Sequence, residues 1–283
     1  MEAQHLNGRK AAGHWPDIAR QWERVGSPLR PVAQDLGFFR NAIERWRRDA
    51  GRAPRALILG VTPELNRLPW PDGTNLLAAD HTQAMIDAVW PGPRSAAVCA
   101  EWTQLPFDTA SRDIVLCDGG VHLLAWPHEH IEWVRGLLRV IAPGGCCALR
   151  LFVPPERRES PAVVLQELLA GRVPNLNILK LRLGMALQES REQGVQLARV
   201  WNAIHDVAPD SARLAEQLGW SLDHLLAINT YRDCLKHYHF LSTAEVCELF
   251  CGNRDGFRVE TIDVPTYELG ERCPTVVFRR GQF

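Results

Sequence analysis

From residue 55 onward, short aliphatic and β-branched runs alternate with helical stretches, and this alternation constrains the fold more than any other feature of the chain. "RALILG" (55–60), "LLAAD" (76–80), "AAVCAEW" (96–102), "RDIVLCDGG" (112–120) and "GGCCALRLFVP" (144–154) read as strands. "TQAMIDAVW" (82–90) and "EHIEWVRGLLRVIA" (129–142) between them read as helices. Such βαβ units predict a parallel sheet with right-handed crossovers. "FRVETIDVP" (257–265) and "PTVVFRR" (274–280), joined by "TYELGERC", predict a final pair that runs antiparallel.

The remainder is helical in pattern. Ile18, Trp22 and Val25 share one helix face; Leu36, Phe39, Ile43 and Trp46 share another, with the loop "GSPLRP" (26–31) between them. The arginines of "RWRRDAGRAPR" (45–55) read as a solvated helix end rather than a phosphate site. Residues 157–240 place Val200, Trp201, Ile204 and Val207 on one face, and Leu214 with Leu218 on another. Ser242 and Glu245 form the S-x-x-E of a capping box before Val246, Leu249 and Phe250. The expected organisation is a helical cap (1–54), an α/β core (55–156), a helical insertion or lid (157–240), and the last helix with the closing strands (241–283).

Bulk properties exclude several function classes. A formal net charge of −1 gives no pull towards nucleic acid or an anionic membrane. No apolar run reaches the roughly 18–20 residues that span a bilayer. "MEAQHLNGRK" at the start has no apolar signal region, so export is not expected. Eight scattered cysteines, several inside apolar runs, suit buried thiols in a reducing cytoplasm. Cys247 and Cys251, "HEH" (128–130) and "HYH" (237–239) fall short of a metal-ligand spacing, so no metal is expected.

Acidic residues recur at strand ends: Asp80 ends the second strand, Glu101 lies just past the third, and Asp118 ends the fourth. In an open α/β sheet these ends share the edge where ligands bind. Gly60, at the end of the first strand, supplies the turn. An ionised carboxylate only accepts hydrogen bonds, so Asp80, 20 residues after Gly60, suits the two hydroxyls of a ribose.

The series "LILGVTPEL", "LLAADHTQAMIDAVW", "AEWTQLPFDTASRDIVLCDGGVHLL" and "LLRVIAPGGCCALRLF" resembles the class I S-adenosylmethionine-dependent methyltransferases over residues 55–153. The resemblance implies a Rossmann-like, seven-stranded, mostly parallel sheet with a closing antiparallel strand, beside N-terminal helices and a helical insertion. It implies S-adenosylmethionine as cofactor, with Gly60 and Val61 approaching the methionine moiety. It assigns Asp80 to the ribose, His81 and Met85 to the adenosine wall, and Glu101 with Trp102 to the adenine. Asp118 and Gly119 belong to the same edge. Against the usual acid-x-G-x-G-x-G loop, Ile58 stands at the acidic position, Thr62 at the second glycine and Glu64 at the third. Thr62 and Glu64 can instead offer a hydroxyl and a carboxylate to the cofactor's amino group. The missing glycines weigh against a dinucleotide, whose pyrophosphate needs close backbone approach.

The expected reaction is methyl transfer to an O, N or S atom of a small-molecule acceptor. His122 and Tyr231 are the catalytic candidates; His237, Tyr238 and Tyr267 are the candidates for binding the acceptor. The insertion reads as a lid, as added packing or as the surface of a homodimer. A non-catalytic S-adenosylmethionine-binding regulator is the alternative, and an NAD(P)-dependent oxidoreductase comes after it.

Overall fold

The computed structural model describes residues 14–252 and 256–282. The opening stretch "MEAQHLNGRK", and with it the first part of the expected cap, lies outside the described residues.

Among the described residues nine strands form in chain order: β1 (Arg55–Leu59), β2 (Asn75–Asp80), β3 (Ala97–Cys99), β4 (Arg112–Asp118), β5 (Ile141–Arg150), β6 (Val195–Gln196), β7 (His237–Tyr238), β8 (Phe257–Asp263) and β9 (Thr275–Arg280). Seven of them build one sheet in the order β3-β2-β1-β4-β5-β9-β8. β1 to β5 are parallel, and β9 runs antiparallel to both β5 and β8. The Rossmann-like sheet and its closing antiparallel strand are those the sequence predicts. In this order the chain reverses direction across the sheet between β1 and β4, which opens a crevice at their carboxyl ends.

The sheet's period of two decides what covers it. Leu57, Leu59, Val115, Cys117, Cys147 and Leu149 face one side, where Trp133 and Leu137 of the helix His128–Val140 and Phe250 of the helix Thr243–Cys251 pack on them. Ile58, Ile114, Leu116, Cys146 and Ala148 face the other, under Phe39, Ile43 and Trp46 of the helix Ala33–Ala50 and Met85 and Ile86 of Gln83–Val89. Each fully buried Leu or Ile contributes about 1.5–3 kcal/mol, so both faces need their helices.

Asp113, at the start of β4, is buried and gathers the arginine-rich segment. It accepts from Arg52 Nη1 and Nη2 at 2.8 and 2.9 Å, from Arg55 N at 2.8 Å and from Arg55 Nη2 at 2.8 Å. Although burial pushes its carboxyl upward, these donors hold it well below the usual carboxylate range. Two of those arginines therefore anchor the sheet rather than only solvating a helix end.

Two local expectations need correction. The first amphipathic helix is broken: Trp15–Arg20 is α-helical, and a separate 3₁₀ turn covers Trp22–Arg24. The third strand stops at Cys99, and the chain turns through a 3₁₀ segment at Trp102–Gln104. Within the segment read as mostly helical, β6 and β7 pair antiparallel through Val195–Tyr238 and Gln196–His237. The capping box forms as expected, with Ser242 N donating to Glu245 Oε2 at 2.8 Å and Glu245 N donating to Ser242 Oγ at 3.2 Å.

Candidate functional site

A cleft of about 130 Å³, partly open to solvent, lies across the carboxyl ends of β1, β2 and β4.

Its floor comes from the strand ends. Gly60 has φ +90°, a left-handed conformation that a side chain disfavours, and its N–H donates to the Ala79 carbonyl at 2.8 Å. Val61 and the buried Thr62 follow along the wall, and Pro63 then starts a one-turn helix. Asp80 is buried beside them; one oxygen accepts the Thr82 N–H at 2.8 Å, and burial raises its carboxyl pKa. His81 and the buried Met85 continue this wall. Trp102 donates its indole N–H to Ala79 O at 2.9 Å, and its ring stands close behind Gly60.

Asp118 and Gly119 close the floor at the end of β4. Asp118 is hydrogen-bonded to Nε of the buried Arg150, which also donates to Pro28 O at 2.8 Å. Burial alone pulls the guanidinium down, but Asp118 outweighs it and keeps Arg150 charged. Gly120 has no room for a side chain: a Cβ there would lie 2.4 Å from Cys117 Sγ and 2.7 Å from Trp102.

The opposite walls are aromatic and come from distant parts of the chain. Trp15, Ile18, Trp22 and Val25 line one side, so the apolar face read from the N-terminal segment points into the cleft although its helix is broken. His122 stands on the turn after β4, its ring stacked on Phe240 at 5.3 Å and 4° and edge-on to Tyr238 at 4.6 Å. Its Nδ1 is buried with no partner, and burial lowers its pKa to about 3, so the imidazole is neutral. Tyr231 is buried in the same wall, and burial pushes its phenol up. The Tyr238 hydroxyl is hydrogen-bonded to His14 Nε2 at 2.9 Å.

Four predicted residues stand outside this wall. Glu64 is turned to Arg30, whose Nε donates to it at 2.8 Å. Glu101 is exposed beyond the end of β3, and its charge reaches Asp80 only as a weak repulsion. His237 is exposed on β7. Tyr267 donates to Asp35 Oδ1 at 3.0 Å, behind Arg150. In each case a nearer partner or the open solvent claims the side chain.

Phe152 and Lys180 are among the wall residues that escaped the sequence reading. Phe152 follows β5, where nothing in the pattern separates it from core. Lys180 lies in the helix Leu176–Leu187, and its signal is an isolated lysine inside the apolar "LNILKLRLG".

The family model described as "Methyltransferase domain" matches residues 59–149, about a third of the chain. No curated protein gives a significant match. Among solved structures, a Rhodobacter sphaeroides protein described under the Zn-dependent alcohol dehydrogenases superposes with TM-score 0.61 at 14% identity, covering 96% of this chain and 98% of that one. A 1,6-didemethyltoxoflavin-N1-methyltransferase from Burkholderia thailandensis, solved with its substrate and S-adenosylhomocysteine, superposes with TM-score 0.50 at 12% identity, covering 98% and 90%. At these identities the likeness is one of fold. Among the described residues no three His, Cys, Asp or Glu side chains are grouped to hold a metal ion, and no helix is long and apolar enough to cross a membrane. The matched segment runs from the end of β1 to the end of β5, carries Gly60, Asp80, Trp102 and Asp118 in order, and is similar to a methyltransferase domain that takes S-adenosylmethionine as cofactor.

Proposed function

We propose that this protein transfers the methyl group of S-adenosylmethionine to an O, N or S atom of a small molecule held in the cleft. The observation that carries this reading is the buried carboxylate of Asp80 beside the left-handed turn at Gly60, at the carboxyl edge of the sheet. That pair fits the cofactor. A carboxylate with one oxygen occupied by a backbone N–H retains lone pairs for ribose hydroxyls, and the glycine turn leaves backbone open to a methionine tail. Trp102 offers a flat apolar surface, with Met85 and His81 beside it. Thr62, Asp118 and Gly119 complete the cofactor side.

Bound S-adenosylmethionine supplies a methyl group made electrophilic by its sulfonium. The protein's part is to orient the acceptor, exclude water and hold protons. Trp22, Phe152, His122, Tyr231 and Tyr238 form the dry side of the cleft. His122, neutral and with an unpartnered Nδ1, can orient an acceptor by hydrogen bonding; its low pKa makes it a weak base. Tyr231 stays protonated and can donate. In this reading the N-terminal segment is a cap, and residues 157–240 are a lid over the acceptor. All eight cysteines are free thiols, which supports a cytoplasmic location.

A regulator that binds the cofactor without turning it over is favoured by one observation. Glu64, which stands at a usual glycine position, is held by Arg30 rather than directed to the cleft. Titration calorimetry with S-adenosylmethionine, S-adenosylhomocysteine and NAD, followed by a methylation assay over an acceptor panel, separates the readings. Binding of neither sulfur ligand overturns both; binding with no methylated product across the panel favours the regulator.

A further inference from the structure

The cleft adjoins a small apolar space of about 10 Å³, walled by Leu181, Val195, Leu197, Val200 and Phe240. Lys180, His122, Tyr231 and Tyr238 line both spaces, so they form the neck between them. Lysine is rare here: three occur among 32 basic residues, and one of them stands at this neck.

Its surroundings leave the ammonium underused. Among the described residues its polar contact is a single long one, Nζ to Ala227 O at 3.4 Å, and Nζ lies 4.9 Å from the Tyr231 ring centroid. An ammonium carries three donors, and no ion pair with a described carboxylate satisfies the others. Arg24, the other cation of the wall, has Asp223 at 3.7 Å. Loss of water is the cause that lowers the Lys180 pKa, to about 8. A partly dehydrated charge without a counter-ion is costly, and an anion arriving from the cleft offsets that cost. The groups around it are aromatic or aliphatic, which suits the body of the same ligand.

We infer that Lys180 anchors an acidic group of the acceptor, which is an organic acid: an aromatic or aliphatic body packed in the cleft against the neck, bearing a carboxylate or an ionised phenol. This inference rests on the cleft being the acceptor site of the methyltransferase reading, and it names the class of acceptor.

The test compares 2-naphthoate with 2-naphthamide, an acid and its neutral near-isostere. Both are titrated into the full chain saturated with S-adenosylhomocysteine, and S-adenosylhomocysteine binding is measured separately. The expected result is that the acid binds at least about tenfold more tightly than the amide, a difference of about 1.4 kcal/mol. Lys180→Met abolishes that preference while S-adenosylhomocysteine still binds, and Lys180→Arg retains it. Equal binding of acid and amide, binding of neither, or a preference that survives in Lys180→Met overturns the inference. A protein that prefers the acid but does not bind S-adenosylhomocysteine retains the acid site and loses the methyltransferase reading, so the two failures are distinguishable.

Discussion

Arg30 and Glu64, 34 residues apart, join the turn after β1 to the proline-flanked segment ahead of the sheet, with Arg30 Nε donating to Glu64 Oε1 at 2.8 Å. Both side chains are largely buried, and Glu64 Oε2 has no partner. The turn that lines the cleft at Gly60, Val61 and Thr62 is thus fixed from outside it.

That contact predicts matched effects. Arg30→Gln and Glu64→Gln should each cost about 1–2 kcal/mol of stability, and the double variant should lose little more than either single one. Urea unfolding of the four proteins measures the coupling. A fall in cofactor affinity confined to Glu64→Gln would show that the carboxylate meets the cofactor itself.

Asp80→Ala should weaken S-adenosylhomocysteine binding by about tenfold to a hundredfold, the scale of one or two hydrogen bonds to a charged group. Calorimetry reads this directly. Unchanged affinity in a variant with wild-type circular dichroism would remove Asp80 from the ribose.

The buried histidines predict acid lability. Burial lowers His122 and His14 to about 3 and His130 to about 4, against 6.5 in a solvated imidazole. Between pH 6.5 and these values the unfolded chain binds protons that the folded chain refuses, so stability is full above pH 6.5 and declines as the pH falls. Each histidine should cost about 1–2 kcal/mol between pH 7 and pH 5. Chemical denaturation across that range should show the decline, and His122→Phe should flatten its slope. A stability that does not change between pH 7 and pH 5 would contradict the buried neutral imidazoles.

Gly120→Ala should destabilise by about 1–3 kcal/mol, because its Cβ meets Cys117 Sγ and Trp102 at distances no packed atoms adopt. A shifted denaturant midpoint with an unchanged slope is the expected signature. Because Trp102 forms the floor, cofactor affinity should fall as well.

The sheet was legible because its signal is local and periodic: runs such as "LILG" and "DIVLCD" carry strand, burial and turn in a few consecutive residues. Gly60, Asp80, Trp102, Asp118 and His122 sit at or just after strand ends, so their arrival at one edge follows from topology, and all five line the cleft. Glu64 and Glu101 sit at comparable places, yet neither lines it. One is turned by Arg30, an interaction across 34 residues that no local pattern encodes; the other stays in solvent once β3 has ended at Cys99. Lys180 was missed for the converse reason. Its place at the neck depends on how a helix from the second half of the chain packs over the sheet, and nothing within "LNILKLRLG" states that.

The backbone N–H of His239, just after β7, donates to the carbonyl of His122, just after β4, at 2.8 Å. The long excursion that begins after β5 therefore comes back to the neighbouring strand's exit. Departure and return occupy adjacent positions on one edge, so the sheet experiences the whole stretch as little more than a closed loop. A different loop of similar span could be exchanged there without altering strand order or the residues at the ends of β1 and β2.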